Sequence, residues 1–285
     1  MREKILQLLE SEGDLPPLPD IVIRIHDMVK RIDTNVRDIV KVIEMDPVLA
    51  GNILKLSNSV YYTRSSIQIK TLPVAITKIG LNALVKLVYA LKLCPLFTDN
   101  PFISNKRFWT HSLAVAILTQ SLSVKIHSTQ EQHDISYLAG LMHDVGIMVL
   151  AYLIPLEYYK LLTELMDLDE SLVSRERTLL GIDHAEVGSI YVDKWWRVEP
   201  MISKTVLYHH YMIEVVKEEQ KSMRIVYAAN EICNSQKLTN GITSQHMSNI
   251  ESVLNEIGFD IQDMDSIIEE VNSSVDQAKE LIYLQ

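Results

Sequence analysis

His143 and Asp144 stand side by side in Leu138-Ala139-Gly140-Leu141-Met142-His143-Asp144-Val145-Gly146, an otherwise apolar run. An imidazole or a carboxylate taken out of water is costly unless a partner meets it, so partners are implied. On a helix, adjacent residues point roughly 100° apart, and the two side chains reach one point only if other ligands meet them there. Histidine nitrogen together with carboxylate oxygen suits Zn, Mn or Fe. Further candidates recur along the chain. His111 opens His111-Ser112-Leu113-Ala114-Val115-Ala116-Ile117-Leu118, His184 begins His184-Ala185-Glu186-Val187-Gly188, and His209-His210 follow an apolar stretch that ends at Tyr208. These five lie in apolar helical contexts, whereas His26, His127, His133 and His246 lie in more polar or irregular surroundings. One histidine on an apolar face is ordinarily a core residue bonded to a backbone carbonyl. Five in such contexts point to a shared polar cluster.

The elements that must bring these residues together are helices. Glycine and proline are sparse, at nine each, and 47% of the residues are apolar. Leucine, isoleucine and valine recur at helical spacing, which predicts an all-α fold, with no period of the kind that marks a solenoid. Ile21, Ile25, Met28 and Ile32 outline a first core helix, and Asn35 with Asp38 three residues on reads as an N-cap. Asp46-Pro47 repeats the start signal, with a capping carboxylate and then proline where its missing amide hydrogen costs nothing. Later helices are expected at 107–126, 134–152, 156–167, 170–180, 184–196, 200–210 and 217–234. Gly188 shares a helical face with His184 and would let a neighbouring backbone come close. Breaks at Phe97–Lys106 and Ser235–Ser244 divide the chain into an N-terminal helical half (1–105), a second helical half carrying the histidine cluster (106–238) and an acidic C-terminus (239–285). Two more helices are expected in that last part, at 245–257 and 261–283, with apolar positions Ile250, Leu254, Ile257, Ile261, Ile267 and Ile268 that would dock on the body of the protein.

Composition narrows the function classes. The net charge of −10 argues against a nucleic-acid partner held through phosphates. Residues 73 to 97 have helix-turn-helix-like spacing, but no basic recognition face follows the turn. The longest apolar run, Val145 to Leu156, is shorter than the roughly 20 residues a bilayer needs and is stopped by Pro155, so no membrane span is expected. Cys94 and Cys233, both in apolar contexts, make no disulfide framework, and the N-terminus does not read as a signal peptide; the cytoplasm is the expected compartment. Trp195-Trp196 reads as packing or as the lining of a nucleotide pocket. No sustained heptad argues for a coiled coil, and the oligomeric state is open.

The order His111, His143-Asp144, His184, His209-His210 resembles the ligand order of the HD superfamily of metal-dependent phosphohydrolases in its binuclear branch. Upstream, Asp46-Pro47-Val48-Leu49, Ile53-Leu54-Lys55-Leu56-Ser57-Asn58-Ser59, Ala75-Ile76 and Leu81 after Gly80 are similar to the N-terminal signature of the HDOD family, the HD-related output domains of bacterial signalling proteins. The resemblance covers about residues 14 to 235 and implies a multi-helix HD-like bundle with an N-terminal helical subdomain. It also implies that His111, His143 and Asp144 serve one divalent ion (Fe, Mn or Zn), with Asp144 able to bridge, and that His184, His209 and His210 serve a second. Asp144 would be the catalytic residue of an active member.

Three departures bear on activity. The metal-binding aspartate that HD phosphohydrolases carry on a late helix is matched here by Asn230, a weaker and neutral ligand. Their lysine after the His-Asp pair is replaced, His143-Asp144-Val145-Gly146 being followed by Ile147. His209-His210 leads into Tyr211-Met212-Ile213 rather than the Glu and Gly-Tyr-Pro of the cyclic di-GMP phosphodiesterases. The expectation is therefore a non-catalytic signal-transduction output protein that binds a partner protein or a nucleotide, its cluster either metal-loaded or an inherited polar core. The alternative is a metal-dependent phosphohydrolase acting on a nucleotide or phosphate ester.

Overall fold

Helices begin where the sequence sets an acceptor or a proline ahead of an apolar stripe. In the computed structural model the Asn35 side chain accepts from the Asp38 N–H and Asp46 from the Leu49 N–H, starting α3 (Val36–Glu44) and α4 (Pro47–Ser57). The structure describes all residues except 12–14, 32, 60–67, 98–101, 127–128, 167, 212–218, 243–250, 253–254, 256, 260–263 and 283–285. Among the described residues every regular element is a helix, so the fold is all-α. Before those two come α1 (Arg2–Glu10) and α2 (Asp20–Lys30); after them come α5 (Leu72–Ile79), α6 (Leu81–Leu93) and a 3-10 turn at Cys94–Phe97. Then follow α7 (Asn105–Ile126), α8 (Gln130–Met142), α9 (Val145–Leu153), α10 (Pro155–Leu165), α11 (Leu172–Leu180), α12 (His184–Lys194), α13 (Pro200–Tyr208), α14 (Glu219–Ser235) and α15 (Met264–Ile282). The helix expected at 245–257 falls largely outside the described residues.

The helices group into two units. One comprises Leu18–Leu96 with Lys279–Gln285, and the other Met1–Pro17 with Phe97–Ala278. In the first, α2 to α6 bury Val22, Ile25, Ile39, Ile43, Leu49, Ile53, Ile76 and Leu84. Lys92 pairs with Asp46. The helix-turn-helix-like pair is α5 and α6, bent by 106° at Gly80, and α6 is buried around most of its circumference.

In the second unit α1 is tied down by Arg2, which donates to the Gly181 carbonyl (3.0 Å) and pairs with Glu186. Trp195 Nε1–H donates to the Leu9 carbonyl (3.1 Å) and Trp196 Nε1–H to that of Pro16 (3.3 Å), so the two indoles pack on the N-terminal segment. The acidic C-terminus does dock: Phe259 and, on α15, Ile267, Val271 and Val275 join one core with Val115, Leu118 and Leu122 of α7 and Ile225, Ala229 and Ile232 of α14. Gln130–Leu153 is long and apolar enough to cross a bilayer by length and composition, but 89% of its most apolar window is buried inside the structure, as for a core helix.

One expectation needs correction. The single helix placed at 134–152 is two, α8 and α9, because the chain breaks at the His-Asp pair: His143 ends α8 in helical geometry, and Asp144 turns out of it at φ −93°, ψ 2°.

Candidate metal centre

Each candidate side chain sits at, or projects from, a helix positioned by local signals. His184 is the first residue of α12, whose N-cap Asp183 accepts from the Glu186 N–H and is held by Arg177 (2.7 Å). His209 and His210 close α13, which starts at Pro200 behind the Glu199 cap. His111 lies on the buried side of α7. The crossing of α9 and α12 is unusually close. A Cβ on Gly146 would stand 1.8 Å from the His184 carbonyl oxygen, and one on Gly188 would stand 3.0 Å from the Gly146 nitrogen. The close approach expected at Gly188 is therefore to Gly146, and it brings His184 to Asp144.

All six predicted residues converge. Asp144 Oδ2 lies 3.2 Å from His143 Nε2 and 3.6 Å from His111 Nε2; Oδ1 lies 3.3 Å from His209 Nε2 and 3.6 Å from His184 Nε2. His210 Nε2 stands 2.7 Å from His184 Nε2. The donor atoms form two overlapping groups sharing Asp144: His111, His143, Asp144, and Asp144, His184, His209, His210, each within 4.8 Å. His210 is half-buried, and the others are at most 2% exposed.

The hydrogen bonds behind the rings fix their tautomers. Nδ1 of His111, His143 and His209 faces the carbonyl oxygens of Leu238 (2.5 Å), Gly140 (2.8 Å) and Val206 (2.6 Å). A carbonyl only accepts, so each Nδ1 carries the hydrogen. Burial, with His143 adding to it, pushes His111 down to about 4, and burial pushes His209 down to about 4 against the pull of Asp144. The Nε2 atoms of His111, His143 and His209 are buried without a hydrogen-bond partner. Asp144, which burial alone would raise, is held well below the usual carboxylate range by the surrounding imidazoles, His143 first. Ring nitrogens without a hydrogen-bond partner thus crowd an ionised carboxylate in a dry site, the surroundings in which a cation would be held. The donor set fits a divalent transition metal.

His184 differs from the other rings. Burial opposes its charging, yet Glu176 and Asp144 raise it to about 9, while burial and the neighbouring histidines hold His210 well below its usual value. The short contact between these two rings leaves room for a single hydrogen between their Nε2 atoms. Sequence reasoning missed two residues of the site. Glu176 accepts from His184 Nδ1, and its signal was a carboxylate at helical spacing between Leu172 and Leu180, all three buried. Asn240 donates to Asp144 Oδ2 (2.7 Å) from a segment whose only local mark is an Asn-Gly turn. Asn230 lies next to His111 and favours its charged form, so the matched late-helix position does reach the cluster.

A helical bundle carrying this His/Asp constellation is the architecture of an HD-type domain, and the comparisons agree. The HDOD domain matches residues 15–212, and the chain belongs to the HDOD family. A curated Treponema pallidum protein, uncharacterized, is 25% identical over 219 residues, or 76% of this chain and 42% of that protein; the chain thus spans less than half the length of this relative. An HDOD domain protein of unknown function from Geobacter sulfurreducens superposes with TM-score 0.80 at 23% identity, covering 97% of each chain. A candidate signal transduction protein from Marinobacter aquaeolei gives 0.76 at 18% identity, over 98% of this chain and 65% of that one. At these identities the solved structures carry the fold.

Proposed function

We propose that the chain is a bacterial signal-transduction output protein of the HDOD type whose histidine cluster holds one or two divalent transition-metal ions, and which works by binding a protein partner or a nucleotide. The observation that carries the metal is the set of three orphaned Nε2 atoms facing Asp144. His111, His143 and Asp144 Oδ2 would hold one ion; His184, His209, His210 and Asp144 Oδ1 would hold the other. An ion there supplies a Lewis-acid centre. Three features favour holding over turnover: the burial of the ligands, the neutral Asn230 beside His111, and the Asn240 amide on the oxygen of Asp144 that faces His111 and His143. The name carried by the Marinobacter neighbour, a signal transduction protein, is in keeping with a signalling role.

Elemental analysis of the untagged protein, followed by a phosphodiester and nucleotide hydrolysis screen with Mn and Fe supplied, tests this reading. Bound metal, lost in His143→Ala/Asp144→Ala, with no turnover is the expected result. Turnover abolished by His143→Ala would replace the reading with a metal-dependent phosphohydrolase acting on a nucleotide or phosphate ester, the alternative favoured by the half-buried His210, through which a water or phosphate oxygen could reach the cluster.

A further inference from the structure

Glu176 is fully buried on α11, and three donors meet its carboxylate. Tyr158 O–H donates to Oε1 (2.5 Å), while the backbone N–H of His184 (2.8 Å) and its Nδ1 (2.7 Å) both point at Oε2. Three of the other ligand rings lean differently: His111, His143 and His209 are backed by backbone carbonyls. We propose that Glu176 is a positioning residue for the metal cluster, holding His184 with the hydrogen on Nδ1 and Nε2 turned into the cluster between His210 and Asp144, and that it makes the His184, His209, His210 position the tighter of the two.

The inference rests on the metal-holding reading and adds an order of affinity to it. A carboxylate behind a ligand imidazole raises its basicity as a donor more than a neutral carbonyl does. Charge balance points the same way. Asp144 is the one carboxylate among the six converging side chains, and the late-helix position that could add another is the neutral Asn230. Glu176 supplies the missing buried negative charge one residue behind the ligands, on the His184 side only. Tyr158 keeps that carboxylate oriented from α10, so Tyr158, Glu176 and His184 form one chain of hydrogen bonds ending at the metal position. A purely structural role, with Glu176 capping the first N–H of α12, would use the backbone contact alone and leave the ring free of it.

Glu176→Gln separates the two roles, since it keeps the shape and an acceptor while removing the charge. Zinc titration of the metal-free protein by calorimetry should show the tighter of two steps weakened about 10- to 100-fold, with the other step unchanged within about twofold. Nitrogen NMR of the histidine rings in the metal-free protein should show the His184 signals displaced while those of His111 remain. Equal affinities for both steps, or His184 signals identical to wild type, would overturn the proposal. Should Glu176→Gln not fold, Tyr158→Phe decides: a smaller loss in the same step supports the relay, and no change in either step overturns it. If wild-type protein takes up no zinc, manganese or iron, the metal reading itself falls, and the His184 ring signals in the two variants still decide whether Glu176 positions the ring.

Discussion

Replacing Gly146 by alanine is the sharpest probe of how the centre is held. Alanine is the better helix former by about 1 kcal/mol, so a purely local view expects stabilisation. The packing says otherwise. The new Cβ would lie 1.8 Å from the His184 oxygen, 2.7 Å from the Gly188 nitrogen and 2.8 Å from the His184 carbonyl carbon, all backbone atoms with no flexible end to swing away. Contacts below 3.0 Å are essentially never made by a real Cβ, so α9 and α12 must part by more than 1 Å at this point. Overpacking of this kind costs about 1–3 kcal/mol, and rigid backbone on both sides places it at the upper end. Metal ligands tolerate roughly 0.2 Å, several times less than the displacement. Loss should therefore fall on the position using His184, while His111, His143 and Asp144, held on α7 and at the end of α8, keep their ion. Urea unfolding combined with zinc titration measures both effects. Gly188→Ala is the control, its Cβ meeting the Gly146 nitrogen at 3.0 Å and Val206 Cγ1 at 3.2 Å, and should lose less of each. A Gly146→Ala protein with wild-type urea midpoint and two unaltered zinc steps would refute the reasoning.

Three further outcomes are expected. Asn230→Asp, next to His111, should tighten the His111, His143, Asp144 position about tenfold or more while destabilising the metal-free protein, both read by calorimetry and urea unfolding. Asp46 caps α4 and pairs with Lys92; burial alone would raise it, but Lys92 and the Leu49 N–H hold it below its ordinary value. Its contribution is then complete above the ordinary aspartate range and is lost as pH falls through the lowered folded value, so Asp46→Asn should cost up to about 1 kcal/mol at neutral pH and converge with wild type as the pH is taken down through that range in urea titrations. Ile267→Ala, removing a side chain that is 3% exposed from the core shared by α7, α14 and α15, should cost about 2–4 kcal/mol, and an unchanged urea midpoint would deny the docking of the acidic helix.

Much of this was legible because it is local. Asn35 and Asp46 cap the helices their spacing announced, and the five histidines in apolar contexts are the five that converge. What escaped depends on burial from every side. Around His143 the residues are apolar in all directions, so the pattern runs through the break between α8 and α9 without a change of period. Glu176 looked like one charge among the arginines of α11, since nothing local reveals that His184, eight residues on, folds back over it. In the acidic tail Ile267 was a visible anchor, but Phe259, Val271 and Val275 share the docking with it. The Asn240 contact spans 96 residues and leaves no periodic trace.

Leu238 faces two ways. Its side chain packs on the core that seats α15, and its carbonyl oxygen holds Nδ1 of His111; two residues on, Asn240 grips Asp144. Whatever loosens the C-terminal helix should therefore slacken His111 and Asp144, and by linkage an ion held by those two residues would tighten the helix by the same free energy. The packing of the tail and the seating of the two ligands are thus one and the same contact.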